Sequence, residues 1–257
     1  MKTIGIIGCG NLGLSLSKGF LVNPNFRILA NRRNPISVSL DRFEWASVED
    51  IIEKSDIVIL ALKPYAIDDF FAQNGQIITS RNIPWVSVVS GLTYKKFLLF
   101  LSLASFPFVR AMPNTAAEVS ESMTALSFHD VTTDQKTDVK KLFKLIGNTL
   151  EINEDLMEAA TIIGACGIAY VLRFMRAMIQ GGVEVGFDAK TATEIVSQTV
   201  KGAAQLIIEN KTHPEEEIDK VTTPKGCTIV GLNTMEHSGF SSALIKGIVE
   251  SYRKIEN

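Results

Sequence analysis

Cysteine is scarce in this chain, and a surplus of charge of either sign is missing. Its three cysteines, Cys9, Cys166 and Cys227, are odd in number and widely spaced. They match no zinc or disulfide pattern, which points to a reducing cytoplasm. The 26 basic and 28 acidic residues leave a net charge of −2, so nothing marks the chain for nucleic acid or an anionic membrane. Long apolar runs are lacking too. The most apolar, Phe97 to Val109, contains Pro107 and falls short of the roughly 20 residues a bilayer requires, so it reads as core. Lys2 precedes an apolar stretch, but Gly8, Gly10 and Gly13 interrupt it and no small-residue cleavage site follows, which rejects targeting. His129, His213 and His237 are scattered without metal spacing or an obvious carboxylate partner, so no metal is expected, and no Ser-His-Asp or Cys-His constellation is legible. What remains is a soluble globular protein suited to small-molecule chemistry, with 46% hydrophobic residues in 257, enough for one or two real cores.

The organisation changes near residue 153. Before it, short β-rich runs (TIGII, FRILA, DIVILAL, WVSVV, FPFVRA) alternate with helical patterns, as in a parallel sheet covered by helices. After it the pattern is helical throughout: roughly 154–187, 189–210, a short 214–220, and 228–256 with a break at Gly239. The expected fold is α/β: a doubly wound Rossmann-type domain over residues 1–152 and an all-α domain over 153–257. The stretch Ile162 to Val185 is apolar on more than one face and carries four glycines, Gly164, Gly167, Gly181 and Gly182. It should be buried all round, and in so small a domain that predicts a dimer interface.

IIGCGNLGLSL carries Gly8, Gly10 and Gly13 in G-x-G-x-x-G spacing between a strand and a helix. Gly8 allows the tight turn, Gly10 admits a pyrophosphate to the backbone, and Gly13 lets the helix pack on the strand, so Gly8 to Gly13, with Asn11 and Leu12, form a phosphate cradle. Cys9 inside it is filler. The second strand ends in LANRRN, where NAD-binding proteins usually offer an acidic residue to the ribose. Here Asn31 can bond the ribose while Arg32 and Arg33 face a 2′-phosphate, so NADP(H) is the expected cofactor. ALKP puts Ala61, Lys63 and Pro64 at the carboxyl edge beside it. In VTTPKGCTI, Thr223 is expected to cap a helix whose first turn is Pro224-Lys225-Gly226, leaving the amides of Gly226, Cys227 and Thr228 for an anion.

RAMPNT (Arg110 to Thr115), GACGIAY (Gly164 to Tyr170) and VTTPKGCTIVGL, with the glycine loop and ALKP, make the chain resemble Δ1-pyrroline-5-carboxylate reductases over almost its whole length. The resemblance implies NADPH-dependent reduction of a cyclic imine to proline, the last step of proline biosynthesis. It also implies a helical domain that intertwines with a second subunit, with some dimers of the family assembling into decamers, and an active site between the domains. By position, Asn31, Arg32, Ala61, Lys63 and Asn114 would line the NADPH site, with the nicotinamide near Met112 and Asn114. Thr223 and the backbone of Gly226, Cys227 and Thr228 would hold the substrate carboxylate, and the Thr228 hydroxyl, the one catalytic group, would approach the ring nitrogen.

Two departures stand out. The family's glycine-serine-glycine-proline before the tyrosine is here Gly164-Ala165-Cys166-Gly167-Ile168-Ala169. The first of two glycines after the substrate-loop proline is Lys225, a cation that either strengthens or obstructs carboxylate binding. They leave open a related imine or keto-acid reductase, or a non-catalytic NADP-binding paralogue. A 3-hydroxyacid-type dehydrogenase of the same plan would place a lysine on the first long helix of the helical domain, and Gly164 to Asp188 carries Arg173 and Arg176 but no lysine.

Overall fold

The computed structural model describes residues 1–256, which divide into two compact units, Met1–Ile168 with the chain from Tyr252 onward, and Ala169–Ser251. The composition changes at 153, but compactness changes later. The helical stretch that follows the last strand packs on the sheet, with Met157 buried against Met112 and Ala125.

The first unit is an eight-stranded sheet in the order β3-β2-β1-β4-β5-β6-β7-β8. Strands β1 (Lys2–Ile7), β4 (Ile57–Leu60), β5 (Trp85–Ser87) and β6 (Phe108–Met112) are buried almost throughout. That is why they read as continuous apolar runs: helices cover both faces of a parallel sheet. One layer of core gathers Ile4, Ile6, Leu16, Val109 and Phe143, and the other Ile7, Val58, Trp85, Phe97 and Phe108. Strands β2 (Phe26–Asn31) and β3 (Phe43–Trp45) extend the sheet on one side, and β7 (Ser122–His129) and β8 (Gly147–Glu151) on the other. Only β7 against β6 is antiparallel. The covering helices are α1 (Asn11–Phe20), α2 (Val48–Lys54), α3 (Ile67–Ile78), α4 (Tyr94–Leu101) and α5 (Thr133–Lys144). The apolar run from Phe97 to Val109 divides between α4, a loop and β6, and Phe97, Leu101, Phe106 and Phe108 are core.

Beyond β8 the chain forms a 3-10 turn, a short α6 (Met157–Ala160) and then a π turn, Thr161–Cys166, before α7 (Gly167–Glu184). The second unit holds most of α7, α8 (Ala189–Asn210), α9 (Pro214–Lys220), α10 (Cys227–His237) and most of α11 (Phe240–Glu256). Gly239 breaks the last two. Within a single copy the stretch 162–185 is not buried all round: Ile162 is buried, but α7 carries no buried residue and Leu172 is 57% exposed. The expectation that long apolar runs are lacking is also corrected: the helical stretch Glu154–Glu184 is, by length and composition alone, long and apolar enough to cross a membrane.

Candidate functional site

β1 delivers the chain into the glycine turn at the carboxyl edge of the sheet. The amides of Gly8 and Cys9 both donate to the Asn31 carbonyl, at 3.0 and 2.7 Å, which locks the turn to the end of β2. Gly8 has φ +85°, and a Cβ there would lie 2.8 Å from the Leu62 amide nitrogen and 2.7 Å from its side chain, so both conformation and crowding by the strand-end loop demand glycine. Gly10 differs: no described atom lies within 4 Å of where its Cβ would be. A Cβ at Gly13 would touch Cys9 Sγ at 3.1 Å and Ile6 at 3.3 Å, so α1 packs closely on β1.

Gly10 is the N-cap of α1, with no side-chain cap and no acidic residue in the first turn. The helix's positive end is therefore unspent, and an anion can occupy it. Cys9 is fully buried, and that burial pushes its thiol up to about 11, against weaker opposing effects of Ser17 and Arg32. It stays protonated and acts as packing.

Asn31 donates its side-chain amide to the Ala46 carbonyl at 3.0 Å, leaving its own side-chain oxygen for a ribose hydroxyl. Arg32 is half-buried and near enough to Cys9 to act on it electrostatically, whereas Arg33 is exposed. After β4, the Ala61 amide continues the ladder to Ile7 at 2.8 Å. Lys63 and Pro64 then begin a 3-10 turn that leaves both exposed. These features fit the phosphates and 2′-phosphate of a dinucleotide: open backbone at Gly10, an uncapped helix start and cationic side chains at the end of β2.

At the end of β6, Met112 is 5% and Asn114 7% exposed. Asn114 is committed on both sides. Its Oδ1 accepts from Ala116 N at 3.0 Å, capping a 3-10 turn, and its Nδ2 donates to the Gly164 carbonyl of the π turn at 2.9 Å. Between Phe108 and Met112 on the same strand lies a feature the motif reading passed over. Arg110 is 1% exposed and pairs with Glu158 and Glu154. Its signals were present: an arginine inside an apolar strand, and two glutamates one helical turn apart where the helices begin. His129 was expected to lack a carboxylate partner, and that is corrected. Its Nε2 lies 3.7 Å from Glu154, and burial holds the ring below its ordinary pKa. His213 caps α9, accepting from Glu215 N at 3.3 Å.

In the second unit the segment before α10 departs from expectation. Thr223 is not a helix cap. Its carbonyl accepts from Gly226 N at 2.9 Å, closing a turn with Pro224 second and Lys225 third at φ +62°. Proline followed by a left-handed residue is a type II turn. Gly226 is the N-cap of α10, without a side-chain cap bond. A Cβ there would sit 2.5 Å from the Thr223 hydroxyl, so glycine is required by close approach. The open amides are thus those of Cys227, Thr228 and Ile229, one residue later than the sequence suggested, because the Gly226 amide is already bonded within the turn.

A largely parallel sheet opening on a glycine turn, with basic side chains at the end of its second strand, defines the class: a Rossmann-type oxidoreductase using a nicotinamide dinucleotide. Residues 154–257 match the family model for pyrroline-5-carboxylate reductase dimerisation, and residues 3–89 one for NADP oxidoreductase, coenzyme F420-dependent. The chain belongs to the pyrroline-5-carboxylate reductase family. It is 42% identical over 270 residues to pyrroline-5-carboxylate reductase 1 of Dictyostelium discoideum, spanning 98% of this chain and about half, 49%, of that protein. It is 38% identical to pyrroline-5-carboxylate reductase 2 of the same organism, over 98% of this chain and 92% of the relative. Among solved structures, the Streptococcus pyogenes 1-pyrroline-5-carboxylate reductase superposes with a TM-score of 0.86 at 27% identity, over 98% of this chain and 97% of the other. The Plasmodium falciparum pyrroline carboxylate reductase with NADP bound shares the fold, with a TM-score of 0.91 at 24% identity over 99% and 97% of the two chains.

Proposed function

We propose that this chain reduces Δ1-pyrroline-5-carboxylate to L-proline with NADPH. The observation that supports the residue-level reading is the uncapped start of α10, where the amides of Cys227, Thr228 and Ile229 are available to an anion. That anion is the substrate carboxylate. Thr223 lines the turn, and the Thr228 hydroxyl, on the first helical turn, orients the ring nitrogen. Gly8, Gly10, Asn11, Leu12 and Gly13 cradle the pyrophosphate; Asn31, Arg32 and Arg33 take the ribose and its 2′-phosphate. Ala61, Lys63 and Pro64 flank the cofactor, and Met112 and Asn114 sit at its reacting end. The nicotinamide supplies hydride. A protonated cyclic imine is already electrophilic, so the protein's own task is to bind, orient and exclude competing geometries, with no strong general acid.

The helical residues 153–257 form the homodimer contact, and residues 1–152 the nucleotide domain. Three free cysteines among the described residues suit the reducing cytoplasm. Neither nucleic acid nor membrane is a partner, in keeping with the net charge of −2, and further assembly into decamers follows the family pattern.

Thr228→Ala should leave NADPH affinity unchanged and lower turnover of the imine by about 10- to 100-fold, as expected for one or two hydrogen bonds realised at the reacting centre. Steady-state assays with the imine and with 1-pyrroline, which lacks the carboxylate, decide the matter. Equal rates on the two, or full activity in Thr228→Ala, would mean that this helix start holds something else. Tight NADPH binding without turnover of any imine would mark a non-catalytic paralogue.

A further inference from the structure

Three tethers fasten the chain after β8 along the length of β6. Arginine cannot shed its charge, so a guanidinium buried as deeply as that of Arg110 must be met by carboxylates. Glu158 meets it as a fork, with Oε1 2.7 Å from Nη2 and Oε2 3.3 Å from Nη1. One helical turn earlier, Glu154 lies 3.7 Å from Nη1 and also accepts the Tyr94 amide at 2.7 Å, so it ties the same stretch to the start of α4. One and a half turns after Glu158, the Gly164 carbonyl accepts from Asn114 at 2.9 Å. Between the tethers, Met157 is fully buried against Met112.

The helix widens to a π turn at Thr161–Cys166. Such turns are rare and concentrate at functional sites. Beyond its chain neighbours and the backbone of its own helix, no described atom lies within 4 Å of where a Gly164 Cβ would stand, so in a single copy bare backbone faces open space beside Asn114.

We infer that Arg110 and Glu158 are a positioning pair for hydride transfer. By fixing α6 against β6 they set the place of the π turn, and through the Gly164–Asn114 bond they hold the Asn114 side chain and the bare backbone of Gly164 at the reacting end of the cofactor. This rests on the reading of Met112 and Asn114 as the nicotinamide end. The pair touches neither cofactor nor substrate. Its role is orientation, and displacements of about 1 Å at a reacting centre suffice to slow chemistry about 100-fold.

Glu158→Gln replaces one carboxylate oxygen by an amide that cannot accept from the guanidinium, loosening the fork. The expected result is a kcat lowered about tenfold or more, with the KM values for NADPH and imine within about twofold, and a larger primary deuterium isotope effect with NADPH deuterated at the transferred position. The fluorescence lifetime of bound NADPH should shorten as the nicotinamide is held less firmly, a readout that needs no turnover. Arg110→Met/Glu158→Met is the companion variant, because an apolar pair keeps the interior filled without leaving a buried guanidinium unpaired, while Glu154 keeps its bond from the Tyr94 amide. It should regain thermal stability and still show the low kcat and short lifetime. A stable double variant with the parent's kcat, isotope effect and lifetime would overturn the proposal, as would a Glu158→Gln variant changed only in melting temperature. An unmodified protein inert toward the imine would instead count against the proposed reaction, and the lifetime would still judge the pair.

Discussion

Gly8 and Gly10 stand two residues apart in one turn and answer to different forces. At Gly8 a methyl group would meet the Leu62 backbone in a left-handed conformation; at Gly10 φ is −86° and the space is open. Gly8→Ala should therefore destabilise the fold, by about 1–2 kcal/mol from the conformation alone, while Gly10→Ala should melt with the parent and bind NADPH at least about tenfold more weakly. Thermal scans paired with NADPH titration separate the two, and tight NADPH binding by Gly10→Ala would show that no phosphate lies there. At this scale the tight turn at Gly8 and the close packing at Gly13 were legible because spacing and flanking pattern carry them. Arg110 was not, since an arginine in FVRAM is ambiguous until its acidic partners, more than forty positions on in sequence, are folded beside it. Asn114 was legible as a loop residue, but its bond to Gly164 depends on a π turn that a 3.6-residue period does not reveal.

Among the elements, the turn before α10 combines a rigid residue with a strained one. Lys225 holds φ +62° where a glycine would rest without penalty, and the cost is partly recovered because lysine has less backbone freedom to lose on folding. Lys225→Gly should stabilise the protein by about 0.5–1 kcal/mol, a rise of roughly 1–4 °C in melting temperature for a chain of this size; an unchanged or lower value would mean that the lysine makes a compensating contact. The imine KM of the same variant reports whether the ammonium aids the carboxylate or obstructs it. The sequence placed a helix start here but chose the wrong cap. Thr-Pro is a common opening for a helix, and nothing in the letters shows that Lys225 turns left-handed. β7 and β8 escaped notice for a related reason: β7 follows directly on a loop that reads as irregular, and β8, GNTLE, is a short polar edge strand with Leu150 exposed. Long apolar strands and glycine-bounded helices were the readable elements, since burial on both faces imposes its own composition.

On the scale of the whole chain, the two units differ in how they hide apolar surface. The sheet unit encloses its own core. The helical unit leaves Leu172, Val183, Ile195, Ile245 and Val249 at least 40% exposed, more than a lone globular unit usually tolerates. Together with the match of residues 154–257 to a dimerisation family, this predicts an obligate interface between copies. Sedimentation at micromolar concentration should give a dimer or a larger assembly and no stable monomer, and Leu172→Glu should dissociate or precipitate it while the sheet unit keeps its NADPH affinity. A monodisperse monomer would contradict this.

An obligate interface through the exposed face of α7 would also tie the amount of assembled protein to the rate at which chains are made. A newly synthesised copy cannot cover that face itself, and until it meets another it offers apolar helix to chaperones and proteases. Pairing is second order in chain number while loss of single chains is first order. Halving synthesis should thus cut the amount of assembled protein by more than half.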